Sequence, residues 1–164
     1  MLSRATLKTP IGMLYLISHD HLLLASGFSN FKELTSQLDE EDREQQISEV
    51  KRLPIITDLL EDYFSGDLTA LDGISVRQPG GKFSQAAWKA MRKVAPGKTI
   101  SYGELAKRAG SGQAIRAAGS ACSRNLVALV IPCHRIVKTG GALGNYAYGL
   151  GVKEWLLRHE GALK

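Results

Sequence analysis

Cysteine is nearly absent from this 164-residue chain: there are two, Cys122 and Cys133, and none in the first 121 residues. Two thiols cannot build the disulfide framework of a small secreted domain, and no Cys-x-x-Cys pair or Cys/His cluster has metal-ligand spacing. No metal site and no cofactor are expected. Long apolar runs are also missing, since none approaches the ~20 residues that a membrane span needs. The segment Met1-Leu2-Ser3-Arg4-Ala5 lacks a charged stretch followed by an apolar one, so export is not expected. Acidic residues are scarce in one half only. Residues 1–81 hold 7 Lys/Arg and 13 Asp/Glu, whereas residues 82–164 hold 14 Lys/Arg and 3 Asp/Glu, giving net charges of −6 and +11. A division that steep excludes a uniformly charged surface and turns the basic half toward an anion. Nucleic acid, an acidic protein and a lipid surface all fit that charge.

What is present is ordinary for a globular chain of one domain or two small ones, with 44 % apolar and 23 % charged residues. Apolar runs at 2–9, 13–18 and 22–28, joined by tight connections, predict an antiparallel meander. A short helix is expected over 31–38, a solvated acidic loop over 39–44, and a second helix over 50–64 with Leu53, Ile56, Leu60 and Phe64 near helical spacing. Pro54 suits the first turn of that helix better than its interior. Residues 68–79 show no period, and Gln78-Pro79-Gly80-Gly81 reads as a linker where the charge changes sign. The expected domains are 1–80 and 81–164.

The basic half opens with a helix over 84–95, where Phe83, Ala87, Trp88, Met91, Val94 and Ala95 form one apolar stripe. Ser101-Tyr102-Gly103-Glu104 is a Ser-x-x-Glu capping box that starts another helix at Tyr102, which ends at Ala109-Gly110. A turn near Ser111-Gly112-Gln113 leads to a third helix over 114–122. Helix, glycine-bearing turn, helix is the helix-turn-helix pattern, here beside Lys107, Arg108, Arg116 and Arg124. Small residues make the third helix flat, with Arg116 as its one long polar side chain. Such a helix packs closely on another helix, or else approaches a nucleic-acid backbone.

Residues 126–131 form a continuous apolar run, a buried strand or extended segment, closed by Pro132 and followed by Cys133-His134-Arg135. A closing helix is expected over 151–160. Cys133 sits where a buried run meets polar residues, so it is either a small buried hydrophobe or a reactive thiol. A nearby His lowers a thiol pKa from about 8.5. Adjacent residues of an extended chain face opposite ways, so Cys133 and His134 need a turn or a bridging water to communicate. His134 then needs an acceptor to orient it. Among the 3 acids of this half, Glu104 is committed to its cap and Glu154 to an exposed helix face, which leaves Glu160.

The stretch Ile131-Pro132-Cys133-His134-Arg135-Ile136-Val137 resembles the signature of the O6-alkylguanine-DNA alkyltransferase family. Residues 99–106 (Thr-Ile-Ser-Tyr-Gly-Glu-Leu-Ala), Arg116-Ala117-Ala118-Gly119, Asn125, Gly144-Asn145-Tyr146 and residues 153–161 (Lys-Glu-Trp-Leu-Leu-Arg-His-Glu-Gly) follow in the family's order. Tyr63-Phe64-Ser65-Gly66 is a looser match in the first half. The resemblance implies an α+β fold: an N-terminal ribonuclease-H-like α/β roll with a small antiparallel sheet, then a helical winged-helix-like domain containing the helix-turn-helix. It implies a partner, double-stranded DNA carrying O6-alkylguanine, entered from the minor groove by a monomer, with no membrane involved. The location implied is cytoplasmic in a prokaryote and nuclear in a eukaryote. The resemblance further implies that Arg116 fills the gap left by a flipped nucleotide, that Tyr102 helps rotate the base out, and that Ala117, Ala118, Gly119, Ser123 and Arg124 lie along the DNA. The resemblance implies that Cys133 accepts the alkyl group through a relay running from Glu160 and His134 by way of a water, and that Asn125 pins the intervening turn. On the same resemblance Ile136, Tyr146, Ala147, Tyr148 and Lys153 are expected to form the substrate pocket, with the Cys133 and Ile136 carbonyls accepting from the exocyclic amine.

Departures from the pattern matter as well. Ala147 stands where the family often has Ser, Tyr148 where Gly is usual, and Leu126 where Pro is common. Three other readings compete: a non-catalytic lesion-binding relative, a helix-turn-helix transcription factor with a structural thiol, and a Cys-His hydrolase. Relatives of the first kind lack the acceptor cysteine, so Cys133 argues against it. Because Tyr148 adds bulk near the pocket, O6-benzyl substrates are expected to react more slowly than O6-methyl ones, and equal rates for the two would refute this.

Overall fold

In the computed structural model, which describes residues 1–164, the first three apolar runs become β1 (Leu2–Thr9), β2 (Gly12–His19) and β3 (Leu22–Gly27). They pair antiparallel in chain order, with Leu7 opposite Leu14 and Ile17 opposite Ala25. The β2–β3 connection is tight enough that Asp20 takes φ +52, a conformation that Asp tolerates through its short polar side chain. Two short strands join in parallel at the edges, β4 (Ile47–Glu49) on β1 and β5 (Ser75–Val76) on β3. The expected meander is thus the centre of a mixed sheet ordered β4-β1-β2-β3-β5. Strands of two or three residues carry too little pattern to be read from sequence.

Helix α1 (Phe31–Ser36) starts at Asn30, whose side chain accepts from the Glu33 amide at 2.8 Å. The acidic stretch after it is not a solvated loop. Asp39 caps a short helix α2 (Glu40–Arg43), in which Asp42 is 4 % exposed and receives Arg77 at 3.1 and 3.2 Å. The partner lies 35 residues away, so local composition could not reveal the pairing. The next helix, α3 (Ile56–Phe64), begins later than periodicity suggests. Pro54 disfavours helix at the residue before it, and Ile55 at φ +70 closes a tight turn in which the Ile56 amide donates to the Pro54 carbonyl at 2.7 Å. Leu34, Leu38, Leu2, Ile17, Leu24 and Leu126 share one core cluster.

Leu126 belongs there because the chain divides into two units, Met1–Pro79 with Leu126–Val130, and Gly80–Asn125 with Ile131–Lys164. The apolar run at 126–131 was expected within the second domain as a strand or extended segment. It is buried throughout, but it forms only an isolated parallel bridge between Ser26 and Val127. Leu129, at φ +73, breaks any longer ladder.

In the second unit, α4 (Lys82–Arg92) buries Ala87, Trp88 and Met91, and the Trp88 indole donates to the Ala121 carbonyl at 2.9 Å. Helix α5 (Tyr102–Arg108) starts at the expected cap, with Ser101 Oγ accepting from the Glu104 amide at 3.0 Å. Gly110 at φ +110 ends it, and α6 (Ile115–Arg124) follows. Ala118 and Ala121 bury the inner side of α6, while Arg116 and Ser120 remain exposed. Strand β6 (Ile100–Ser101) runs parallel to β7 (Ile136–Val137), pairing Ile100 with Ile136 and Ser101 with Val137. This pairing sets Tyr102, the first residue of α5, next to the segment that carries Cys133. Helix α7 (Leu150–His159) closes the unit with Glu160 at its C-cap. Because the Ser101 cap orients the helix that presents Tyr102, Ser101→Ala should destabilise the protein by about 1 kcal/mol in chemical denaturation.

Candidate active site

Pro132, at φ −84 and ψ 67, turns the chain so that the Cys133 amide donates back to the Ile131 carbonyl at 2.9 Å. A 3-10 turn, Cys133–Arg135, follows directly. The turn supplies what an extended chain could not. Cys133 is partly exposed and lines a cavity of about 810 Å³, while His134 points into the interior at 0 % exposure.

His134 Nε2 lies 2.8 Å from Glu160 Oε2. Burial alone would raise the Glu160 carboxyl, but hydrogen bonds and charge from His134 and Arg135 outweigh it and hold Glu160 far below the carboxylate range. Burial pushes His134 below its ordinary value, against the pull of Glu160. An ionised carboxylate can only accept, so the neutral imidazole carries its proton on Nε2. Nδ1 is left as the basic nitrogen, buried and with no hydrogen-bond partner in the protein.

Arg135, which sequence reasoning passed over, completes the cluster. Its Nε reaches Glu160 Oε1 and its Nη2 reaches Oε2, both at 2.9 Å, and Nη1 donates to the Val94 carbonyl at 2.7 Å. With 3 acids among residues 82–164, a basic residue two positions after the cysteine was a readable hint of this pairing. Asn125 Nδ2 donates to the Ile131 carbonyl at 2.8 Å, and its side chain also hydrogen-bonds Cys133. Burial pushes the Cys133 thiol up, opposed by the Asn125 bond and the charge of Lys153. The resting group is therefore a thiol that must lose its proton to react.

Tyr102 faces the same cavity, and its hydroxyl is pushed up to about 12, first by burial and then by the two neighbouring thiols. It remains a proton donor. Gly144 comes so close that a Cβ there would lie 3.1 Å from the Tyr102 hydroxyl, and its φ of +75 is one that side chains resist. Arg116, Gly119, Ser123 and Arg124 also face the cavity, as do Tyr146 and Ala147. Ala117 is half-buried and Ala118 fully buried on α6, outside the lining.

Three expected pocket residues are placed differently. Tyr148 packs edge-on against Tyr146 at 5.9 Å and is not part of the wall. Lys153 is fully buried, and its Nζ donates to the carbonyls of Ile136 (2.6 Å), Leu143 and Asn145 (3.4 Å). It fastens the loop behind the pocket, and it shares the Ile136 carbonyl, which keeps a second lone pair for another donor. Ile136 itself is 0 % exposed. Conversely, Cys122, Ile115 and Lys138 line the cavity without having been expected there. Burial raises the Cys122 thiol strongly, so it rests protonated. No three His, Cys, Asp or Glu side chains come together as a metal site.

Residues 82–162 match the family model described as the DNA binding domain of 6-O-methylguanine DNA methyltransferase. A methylated-DNA–protein-cysteine methyltransferase of Salmonella typhimurium is 42 % identical over 108 residues, which cover 66 % of this chain and 63 % of that one. The protein of the same name from Shigella flexneri is 34 % identical over 161 residues, 96 % of this chain and 94 % of that one. Among solved structures, Mycobacterium tuberculosis OGT in complex with DNA superposes with a TM-score of 0.83 at 30 % identity, covering 98 % of this chain and 93 % of that one.

His134 and Glu160 both titrate below their ordinary values, so the unfolded chain binds more protons than the native one in acid. Their contribution to stability is complete above pH ~6.5 and is lost as pH falls, first through His134 and then, below ~4.5, through Glu160. Glu160→Gln should flatten that acid limb and cost roughly 3–5 kcal/mol at neutral pH, because Arg135 is left buried without its carboxylate. Denaturant titrations across the range measure both effects.

Proposed function

The chain belongs to the methylated-DNA–protein-cysteine methyltransferase family, and we propose that it repairs DNA directly, by one irreversible transfer of an alkyl group from O6-alkylguanine to Cys133. The observation that carries this reading is the arrangement behind the thiol. A buried imidazole is locked by an ionised carboxylate into the tautomer whose free nitrogen, Nδ1, can take a proton. A water between that nitrogen and the Cys133 sulfur relays the thiol proton to His134. The thiolate attacks the alkyl carbon, the sulfur–carbon bond forms as the oxygen–carbon bond breaks, and the bonding electrons leave on guanine. Tyr102, still carrying its hydroxyl proton, donates to the departing base, joined by backbone amides after Tyr146. A thioether is stable, and no group beside it reverses the step, so one molecule acts once.

The alkylated oxygen is out of reach inside the base stack, so the nucleotide must be flipped into the cavity. We read Arg116, exposed beside the cavity on α6, as the side chain that occupies the vacated space. The helix-turn-helix of α5 and α6 enters the minor groove, Ser123 and Arg124 lie along the strand, and the +11 half faces the phosphates. Binding is therefore salt-sensitive and largely independent of sequence, with the flipped lesion supplying specificity. On the same reading the first unit is a ribonuclease-H-like roll, the second is winged-helix-like, and the protein works as a monomer inside the cell, where the DNA is.

Incubation with an O6-methylguanine duplex should add one methyl to the peptide bearing Cys133, in a stoichiometric burst without turnover. An unmodified Cys133 in folded protein refutes the reading. Cys133→Ala should bind the duplex and transfer nothing, and His134→Ala should slow transfer about 10²-fold or more. Arg116→Ala should slow repair of duplex more than reaction with the free base.

A further inference from the structure

Chain connectivity around Cys133 has an unusual feature. The second unit ends at Asn125 and resumes at Ile131, and the five residues between belong to the first unit. Asn125 Nδ2 closes the neck of this excursion by donating to the Ile131 carbonyl at 2.8 Å. The backbone within it is gripped by two residues of the first unit, through the backbone and hydroxyl of Ser26 and the side chain of Gln78. Ser26 donates its amide to the Leu126 carbonyl at 2.9 Å, accepts from the Ala128 amide at 3.0 Å, and donates its hydroxyl to the Ala128 carbonyl at 2.7 Å. Gln78 Oε1 accepts from the Leu126 amide at 2.8 Å. Ser26 is 0 % exposed and Gln78 7 %, so neither makes these bonds in competition with water.

We propose that Ser26 and Gln78 are positioning residues for alkyl transfer, holding 126–128 so that the five-residue path from Ala128 to Cys133 delivers the thiol at its working place. That path has no slack. Residues 126–131 are all at most 4 % exposed. Leu129 is held at φ +73, with the Val130 amide donating to Ala128 at 2.9 Å, and Pro132 makes a second tight turn immediately before Cys133. A close-packed segment with fixed turns passes displacement along rather than absorbing it. Loss of the Ser26 hydroxyl leaves the Ala128 carbonyl only its strained bond from Val130, and the shift is delivered to Cys133. This assigns the first half of the chain a part in the chemistry and rests on Cys133 being the acceptor.

The test compares full-length Ser26→Ala and Gln78→Met with the parent and with Ile56→Val, a conservative change at a position 2 % exposed in α3 that takes no part in these hydrogen bonds. Single-turnover transfer from an O6-methylguanine duplex should fall about tenfold at saturation in both grip variants, as expected for a reacting atom displaced by a fraction of an ångström. The half-saturating duplex concentration should stay within twofold of the parent's. The pH profile for iodoacetamide labelling of Cys133, followed on its peptide by mass, should move to higher pH as the Asn125 and His134 support loosens. Ile56→Val should change neither. Transfer within twofold of the parent in both grip variants, or a loss accounted for by the unfolded fraction, overturns the proposal. If the parent itself transfers no methyl group, the functional reading fails instead, and the labelling profiles still decide whether Ser26 and Gln78 position the thiol.

Discussion

A carboxylate removed from water must be compensated, and Glu160 is compensated by two residues of the same short turn. Its oxygens receive Arg135 twice and His134 once, all within 2.9 Å. Truncating one partner of such a buried set costs several kcal/mol, because the other charge is stranded. The cluster therefore fixes more than a proton. It ties the end of α7 to the Cys133–Arg135 turn, and through the Val94 carbonyl it ties that turn to the chain just beyond α4. Orientation of the imidazole, ionisation of the carboxylate and the direction of the thiol are consequences of one salt-bridged knot.

Around that knot the site is assembled from segments far apart in the chain. The β6–β7 pairing brings Tyr102 beside the turn, Asn125 reaches across to Ile131, and Lys153 gathers three carbonyls behind the pocket. None of these contacts is energetically large by itself. Together they leave the cavity with two partly exposed thiols, a protonated phenol and three cations, Arg116, Arg124 and Lys138, with no acidic side chain in the lining. Such a cavity suits an electron-rich ring and its phosphates, and it keeps the nucleophile protonated until a base acts.

Much of this could be read from residue types. The Ser101 cap, the α5–α6 pair and the first three strands follow from capping and periodicity, which are local properties. Glu160 was reachable by elimination, since few acids exist in that half. Other assignments failed for one shared reason. The acidic stretch folded because Asp42 meets Arg77, Lys153 turned inward because carbonyls awaited it, and 126–130 joined the other unit because Ser26 and Gln78 receive it. Each depends on a partner remote in sequence.

By itself the sequence determined the first three strands and most of the helices, the charge division and the presence of a cysteine–histidine pair beside a buried run. Hydrogen-bonding periodicity, capping and composition act over a few residues, so they are written in the order of the chain. Only the tertiary structure decided that Cys133 faces a cavity while His134 faces Glu160, that Arg135 shares that carboxylate, and that Lys153 is fully buried on backbone carbonyls rather than in the pocket wall. Burial and electrostatic pairing are set by what surrounds a group in three dimensions, and no spacing along the chain encodes them.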